Sequence, residues 1–295
     1  MRDLKHFARL DAERLESSEQ NPLYLAARAV DAGNRDLAVQ HWTAAQKQLP
    51  AYVMTSETTI QVLLGLGRLD ELEALLKTGL KKSPASVHYL KGLARLDETR
   101  ERFGEAAAWW SLIRKGSPRE IDIWIREAYC LNRAGDTAAA AQVLELGARN
   151  FPDRHDIWIP LAERQETLCK WPQALITWDY IADTLGRAIG YACGGRVCAK
   201  MGNLNGAIQR LEKGHFRFPY DLDILQRIAE VEENRGNVAQ AITYWAQLRM
   251  AHPQQQIGYT EAARCMRLIG KEDEAKLITN AATERFPGII EVITN

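Results

Sequence analysis

The chain has 295 residues, 46% of them apolar and 26% charged, with 38 basic side chains against 38 acidic ones. That apolar share suits a folded core. A net charge of zero excludes the basic excess that general nucleic-acid binding needs to displace counterions, and with it the polybasic patch of a membrane-surface protein. No apolar run approaches the ~18 residues that span a bilayer, so direct membrane insertion is not expected.

In chain order, the first segment reads MRDLKHFARLDAERLESSEQ. It is charged throughout, unlike a secretory signal. Leu4, Phe7, Leu10 and Leu15 recur at roughly helical spacing, which predicts a capping helix over residues 1–18. From residue 19 a period takes over. One glycine slot holds Gly33, Gly67, Glu101, Gly135, Cys169, Gly202, Gly236 and Gly270, spaced by 34 residues except for one step of 33. A proline slot follows with the same spacing: Pro50, Pro84, Pro118, Pro152, Gly186, Pro219, Pro253 and Pro287. Two small-residue slots run in register, Ala26, Ile60, Ala94, Ala128, Ala162, Gly195, Ala229, Ala263 and Ala38, Leu72, Ala106, Ala140, Ala174, Ala207, Ala241, Ala275. Four columns at one period set the architecture before any local reading.

Each column has a mechanical reason. A first helix, A, runs from the proline slot to the next glycine, which closes it in the left-handed conformation. A second helix, B, runs from the glycine to the following proline, which cannot continue it. The alanine slots sit in mid-helix, where the missing side chain lets paired helices approach. Trp42, Trp110, Trp178 and Trp245 stand four residues after the second alanine slot. Their register predicts inter-helix core rather than ligand platforms, and the same holds for Trp124 and Trp158, 34 apart in helix A. The predicted repeats are 19–52, 53–86, 87–120, 121–154, 155–187, 188–221, 222–255 and 256–287, followed by a tail, 288–295, in which no solvating helix is evident.

A 34-residue helix–turn–helix with small residues at its eighth and twentieth positions, an aromatic at the twenty-fourth and proline at the thirty-second resembles the tetratricopeptide repeat. The resemblance covers residues 19–287. It implies an all-α fold, a right-handed α-solenoid of stacked antiparallel helix pairs whose neighbours share a core. Two repeats depart from the pattern: the second carries Ile60 and Leu72 in the small slots, and the fifth lacks both glycine and proline.

No catalytic constellation stands out, and neither an enzyme activity nor a cofactor is expected. The chain has no phosphate-binding GxxxxGK[ST] and no HExxH. GLGRLD at 65–70 sits between two helices and reads as a turn. The histidines at 6, 41, 88, 155, 215 and 252 are scattered. Cys193 and Cys198, five apart on a helix, point to different faces, against a metal site. With five cysteines in a long chain the thiols read as reduced core residues, so the expected compartment is the cytoplasm, or the periplasm for a piece of an exported protein.

The resemblance further implies that positions five, nine, twelve and thirteen of helix A line a concave groove. Those positions, with Arg126 beside them, give a candidate partner-binding set. It comprises Lys91 and Arg95 (with Glu98), then Arg126, Tyr129, Asn132 and Arg133, then Glu163 and Glu166. Arg196 and Lys200 follow, then Gln226, Glu230 and Glu233, and finally Arg264 and Arg267. From the fourth repeat onward the sign alternates. Two readings stand side by side: the charges pair across adjacent A helices and solvate the groove, or they sort an extended partner by its charge pattern, with Tyr129 as an aromatic anchor. The carboxylate-clamp version of the family needs a basic fifth residue followed by asparagine at the ninth; Lys91 is followed by Arg95, so that partner class is not expected. The glycines of TLGRAIGYACGGRVCAKMG predict a hinge between halves 1–187 and 188–295.

The expected function is a non-catalytic scaffold that binds a protein or peptide in its groove. The alternatives are an accessory module of a bacterial polysaccharide synthesis, export or glycosyltransferase system, with aromatic residues on sugar, and self-assembly through the uncapped C-terminal end.

Overall fold

The glycine slot becomes visible first in the backbone. The computed structural model describes residues 21–54 and 56–286. The expected capping helix and the tail lie outside them. In every glycine the slot carries, φ is positive, from +69° at Gly67 to +91° at Gly135. Glu101 and Cys169 hold the same left-handed conformation without being glycine, at 57° and 54°. In all eight cases the following N–H bonds the carbonyl five residues back, from Asn34 to Ala29 through Lys271 to Met266, at 2.8–3.0 Å. This is the Schellman closure of a helix C-terminus. The slot therefore encodes a geometry, and two repeats adopt it at the cost of left-handed strain in an L-residue.

Seventeen helices form among the described residues, joined by short connections that fold consecutive helices into antiparallel hairpins. The A helices are α1 (Pro22–Asp31), α4 (Glu57–Gly65), α6 (Val87–Thr99), α8 (Ile121–Arg133), α10 (His155–Thr167), α12 (Ala188–Lys200), α14 (Leu222–Asn234) and α16 (Ile257–Leu268). Their B partners are α2 (Arg35–Gln48), α5 (Leu69–Lys82), α7 (Phe103–Gly116), α9 (Thr137–Asn150), α11 (Trp171–Asp183), α13 (Leu204–Arg217), α15 (Val238–Ala251) and α17 (Glu272–Arg285). One extra turn, α3 (Pro50–Val53), starts on the first proline of the slot. The 33-residue step is absorbed in α11, which has 13 residues where the other B helices have 14. No helix of the described residues is long and apolar enough to cross a membrane.

Contacts divide the chain into two units, residues 1–143 and 144–295. In the first, Leu23, Ala26, Ala38, Trp42, Ile60, Leu63, Leu72 and Leu76 pack into one core. A second cluster gathers Ala94, Ala106, Trp110, Ile113 and Ile123. In the second unit Ala162, Ala174, Trp178 and Ile181 form one cluster. Ala207, Leu211, Ile228, Ala229, Ala241, Trp245, Leu248 and Ala263 form the other. The recurring tryptophans are core, at 0, 5, 1 and 1% exposure for Trp42, Trp110, Trp178 and Trp245. Burial of an indole is among the largest apolar contributions a side chain makes. The helix-A tryptophans are anchored locally: Trp124 donates to the Pro118 carbonyl at 3.0 Å and Trp158 to that of Pro152 at 2.9 Å.

The expected hinge at 187/188 falls inside the second unit. Two of the glycines there, Gly190 and Gly195, serve close packing. A Cβ on Gly190 would lie 2.4 Å from the Ala182 nitrogen, and one on Gly195 2.5 Å from Leu211. At Gly194 a Cβ would find ordinary contacts at 3.5–3.6 Å. Gly186, in the vacant proline slot, turns the chain at φ +63°.

Candidate binding surface on the first helices

The A helices present the candidate residues at regular intervals, and the structure shows most of them engaged with one another. In the first unit Arg95 of α6 reaches back to Glu57 of α4 at 3.1 Å, and His88 Nδ1 lies 3.2 Å from the same carboxylate. The bond to His88, then the charges of His88, Arg95 and Lys91, hold the Glu57 carboxyl below its ordinary range against the opposing pull of burial. Lys91 pairs with Glu120 at 2.9 Å. Arg126 of α8 pairs with Glu98 of α6 at 3.2 Å. Asn132 accepts a bond from Thr137 at 3.1 Å and so braces the start of α9.

Glu98 does more than balance a charge. It also accepts the indole N–H of Trp110 at 2.6 Å and the thiol of Cys130 at 3.3 Å. The same arrangement appears twice in the second unit. Glu166 accepts Trp178 Nε1 at 2.8 Å and both terminal nitrogens of Arg196 at 2.8 Å. Glu233 accepts Trp245 Nε1 at 2.8 Å and is paired with Arg264. Each carboxylate sits twelve residues before its tryptophan and takes its guanidinium from the next A helix. The carboxylates are 14, 10 and 15% exposed, whereas Arg126, Arg196 and Arg264 are 56, 27 and 46% exposed. Burial works to raise the Glu233 carboxyl, but the bonds from Arg264, Trp245 and Cys265 outweigh it and hold the group below its usual range. Burial and the nearby carboxylates push the Cys130 and Cys265 thiols up to about 12, so both remain protonated.

A second recurring pair lies beside the first. Arg133 stands 4.4 Å over the Phe103 ring and donates to the Tyr129 hydroxyl at 3.0 Å, while Phe103 and Tyr129 meet edge to face at 6.2 Å. Lys200 stands 5.5 Å over Trp171. Phe103 and Trp171 occupy one slot, the first residue of helix B, and their cations occupy the thirteenth position of the next A helix. Both rings lie on helix B, outside the helix-A positions; their signal in the sequence is a shared aromatic slot in the third and fifth repeats. Tyr129 is 43% exposed, as an anchor requires.

Two depressions follow in the second unit. Glu163, Glu166, Thr167, Trp171, Arg196 and Lys200 surround one of about 250 Å³. Glu230, Glu233, Trp245, Glu261 and Arg264 are among the residues around another of about 350 Å³. Gln226 and Arg227 both donate to Glu230 at 2.8 Å. Arg267 bonds Thr279 of α17 at 3.3 Å, apart from Arg264, which pairs with Glu261 at 2.7 Å. Chemically the surface offers guanidinium N–H groups, carboxylates and ring faces in fixed positions, the donors and acceptors of recognition.

A family model described as Tetratricopeptide repeat matches residues 121–164. No curated protein sequence matches the chain. Among solved structures, a complex of Naa15/Naa10 bound to HypK-THB aligns with a TM-score of 0.53 at 16% identity, over 91% of this chain and 42% of that one. The crystal structure of MamA aligns with a TM-score of 0.49 at 16% identity, over 58% of this chain and 94% of that one. A tetratricopeptide repeat protein from Parabacteroides merdae ATCC 43184 aligns at 0.48 and 16% identity, over 80% and 94%. The period, the Schellman closures and the small-residue slots fit the matched segment: residues 121–164 carry the tetratricopeptide repeat, and the chain has the all-α fold of stacked helix pairs that such repeats build.

Proposed function

We propose that this chain is a non-catalytic scaffold whose A-helix face holds an extended segment of a partner protein. The observation that carries the reading is the division of labour in the Trp–Glu–Arg sets. The carboxylate is mostly shielded and committed to an indole, while the guanidinium of the next A helix is more exposed. A guanidinium already held in place loses little freedom when it bonds a partner's carboxylate or backbone carbonyl. The exposed Tyr129 with Arg133 and Phe103, and Lys200 with Trp171, supply aromatic–cation platforms of the kind that dominate binding energy at interfaces. The charges that pair across the A helices and the charges that would meet a partner are then the same groups in two arrangements.

The test is capture of partners from native lysate by the wild-type chain and by a Tyr129→Ala, Lys200→Glu variant. Both residues are exposed and lie outside the Trp–Glu–Arg sets, so helicity should be unchanged by circular dichroism. A partner retained by wild type and lost by the variant supports the A-helix face. Equal capture by both moves the binding to another surface.

A further inference from the structure

The cleft between successive B helices is closed in one place and open in another. Over α12, in the second unit, α13 reaches across to α11 twice. Arg210 forms a two-bond pair with Asp179 at 2.8 and 2.9 Å, and Lys213 bonds Asp183 at 2.7 Å. Over α6, in the first unit, the same four slots hold Trp109, Leu112, Lys77 and Lys81. No bridge can form from that set. Trp109 turns down and donates to Asp97 at 2.9 Å, and Lys77 folds back onto Glu73 of its own helix at 2.5 Å. What remains between α5 and α7 is a cavity of about 640 Å³.

Its surface is mostly carbon, from Leu93, Leu96, Ala108, Trp109 and Leu112. Leu112 is left 48% exposed. Two of the acids on its border are already neutralised: Glu73 by Arg100 and Lys77, and Asp97 by Arg102 at 2.5 Å and by the Trp109 N–H. At the C-terminal end of the cleft stand Lys77, Ser111 and Lys115. Lys115 has no ion-pair partner among the described residues. The remaining acid, Glu105, lies ten residues earlier on α7, roughly 15 Å away along the helix. Carbon walls with a few polar groups at one end, in a volume of several hundred Å³, describe a small-molecule site.

We propose that the α5–α7 cleft binds a small amphiphile carrying one carboxylate, with its acyl or aryl body on Trp109, Leu112 and the α6 leucines and its carboxylate at Lys115, Ser111 and Lys77. The site lies between two B helices, floored by leucines of α6, and uses none of the residues of the partner surface proposed above.

Isothermal titration of the full chain with dodecanoate, below its micelle concentration, tests this, with dodecylammonium as the charge control. One site per chain is expected, with a Kd on the order of 0.1 mM, and dodecylammonium should bind at least about tenfold more weakly. Ala108→Phe, a change at an exposed position that fills the cleft, should abolish saturable binding. Lys115→Glu should reverse the preference between the two amphiphiles. The proposal is overturned by absence of saturable heat, by several sites indifferent to Ala108→Phe, or by equal binding of the two head groups. Cover of the cleft by a second copy would overturn it too, and would appear as concentration-dependent mass that Ala108→Phe removes.

Discussion

Replacing Glu166 with alanine should destabilise the second unit far more than a surface carboxylate would. Trp178 is 1% exposed and its indole N–H points at Glu166 Oε1, 2.8 Å away. Without the acceptor that donor stays buried and unpaired, which costs about 1–3 kcal/mol. Loss of the two-bond Arg196 pair adds about 1 kcal/mol, since Arg196 is partly exposed and water replaces some of the interaction. The expected sum is about 3 kcal/mol. Trp178→Phe removes the donor instead and should cost about 1–2 kcal/mol, mainly in packing. The double variant should then be less destabilised than the sum of the singles by about 1–2 kcal/mol, because no orphaned N–H is left. Urea denaturation followed by far-UV circular dichroism gives all three values. The chain carries its own control. Trp42 is fully buried and its Nε1 has no acceptor among the described residues; Val30 stands twelve residues before it where Glu98, Glu166 and Glu233 stand before the others. Trp42→Phe should show no coupling to Val30→Ala beyond about 0.5 kcal/mol. Additivity of Glu166→Ala and Trp178→Phe within the same margin would refute the buried-acceptor argument.

Three further outcomes follow from the backbone and the charges. Cys169→Gly and Glu101→Gly should each stabilise the fold by about 0.5–1 kcal/mol, the left-handed cost of an L-residue less the extra chain entropy of glycine; an unchanged melting temperature in both would contradict that. Gly190→Ala should cost more than about 2 kcal/mol, because its Cβ meets backbone atoms of Ala182 and Trp178 at 2.4–2.7 Å and α11 and α12 must separate. Gly194→Ala should be neutral or stabilising by up to about 1 kcal/mol through helix propensity, and equal costs at the two sites would remove the close-approach explanation. Finally, the bond from Arg100, with that from Lys77, takes the Glu73 carboxyl down to about 2. A depressed acid contributes stability above its unfolded value, ~4.3, and loses it as pH falls toward the folded one. Glu73→Gln should therefore flatten the pH dependence of stability between those limits, and an identical acid profile for wild type and variant would show that the pair is idle.

The period carried most of the fold because it records backbone geometry that few residues satisfy. Glycine at Gly135 and Gly236, proline at Pro118 and alanine at Ala174 each answer a steric demand that recurs every turn of the stack. Cys169 and Glu101 kept that geometry without the residue, so the column was legible even where its letter failed. Gly190 of α12 is the opposite case. Glycine in a helix reads as weakness by propensity, yet the packing partner that explains Gly190 lies on α11 and has no mark in the local pattern. The contacts among the candidate residues were not legible in the sequence. Glu166 and Arg196 could be named from their repeat positions, but their pairing, and the indole behind them, depend on which rotamer each long side chain adopts. Phe103 and Trp171 were missed because they belong to helix B, and only the fold brings them under cations of the next helix A.

The alternation of sign along the A helices has a cause inside the molecule. A buried tryptophan in the third, fifth and seventh repeats needs an acceptor, and a carboxylate twelve residues earlier supplies it. A carboxylate 10–15% exposed then needs a cation, and the next A helix provides Arg126, Arg196 or Arg264. Acidic and basic repeats therefore alternate from the third repeat on, where each of the three tryptophans has its carboxylate; Trp42, with Val30 in that position, imposes no such charge. It follows that the alternation itself carries no specificity. Discrimination between partners, if the A-helix face is the working surface, falls to the groups that the core does not dictate: Tyr129 with Arg133 and Phe103, Lys200 with Trp171, and the acids Glu163, Glu230 and Glu261. Substitutions of the exposed Tyr129, Lys200 and Glu163 should change which partner is held while leaving stability within about 0.5 kcal/mol, whereas substitutions of Glu98, Glu166 or Glu233 should lower stability.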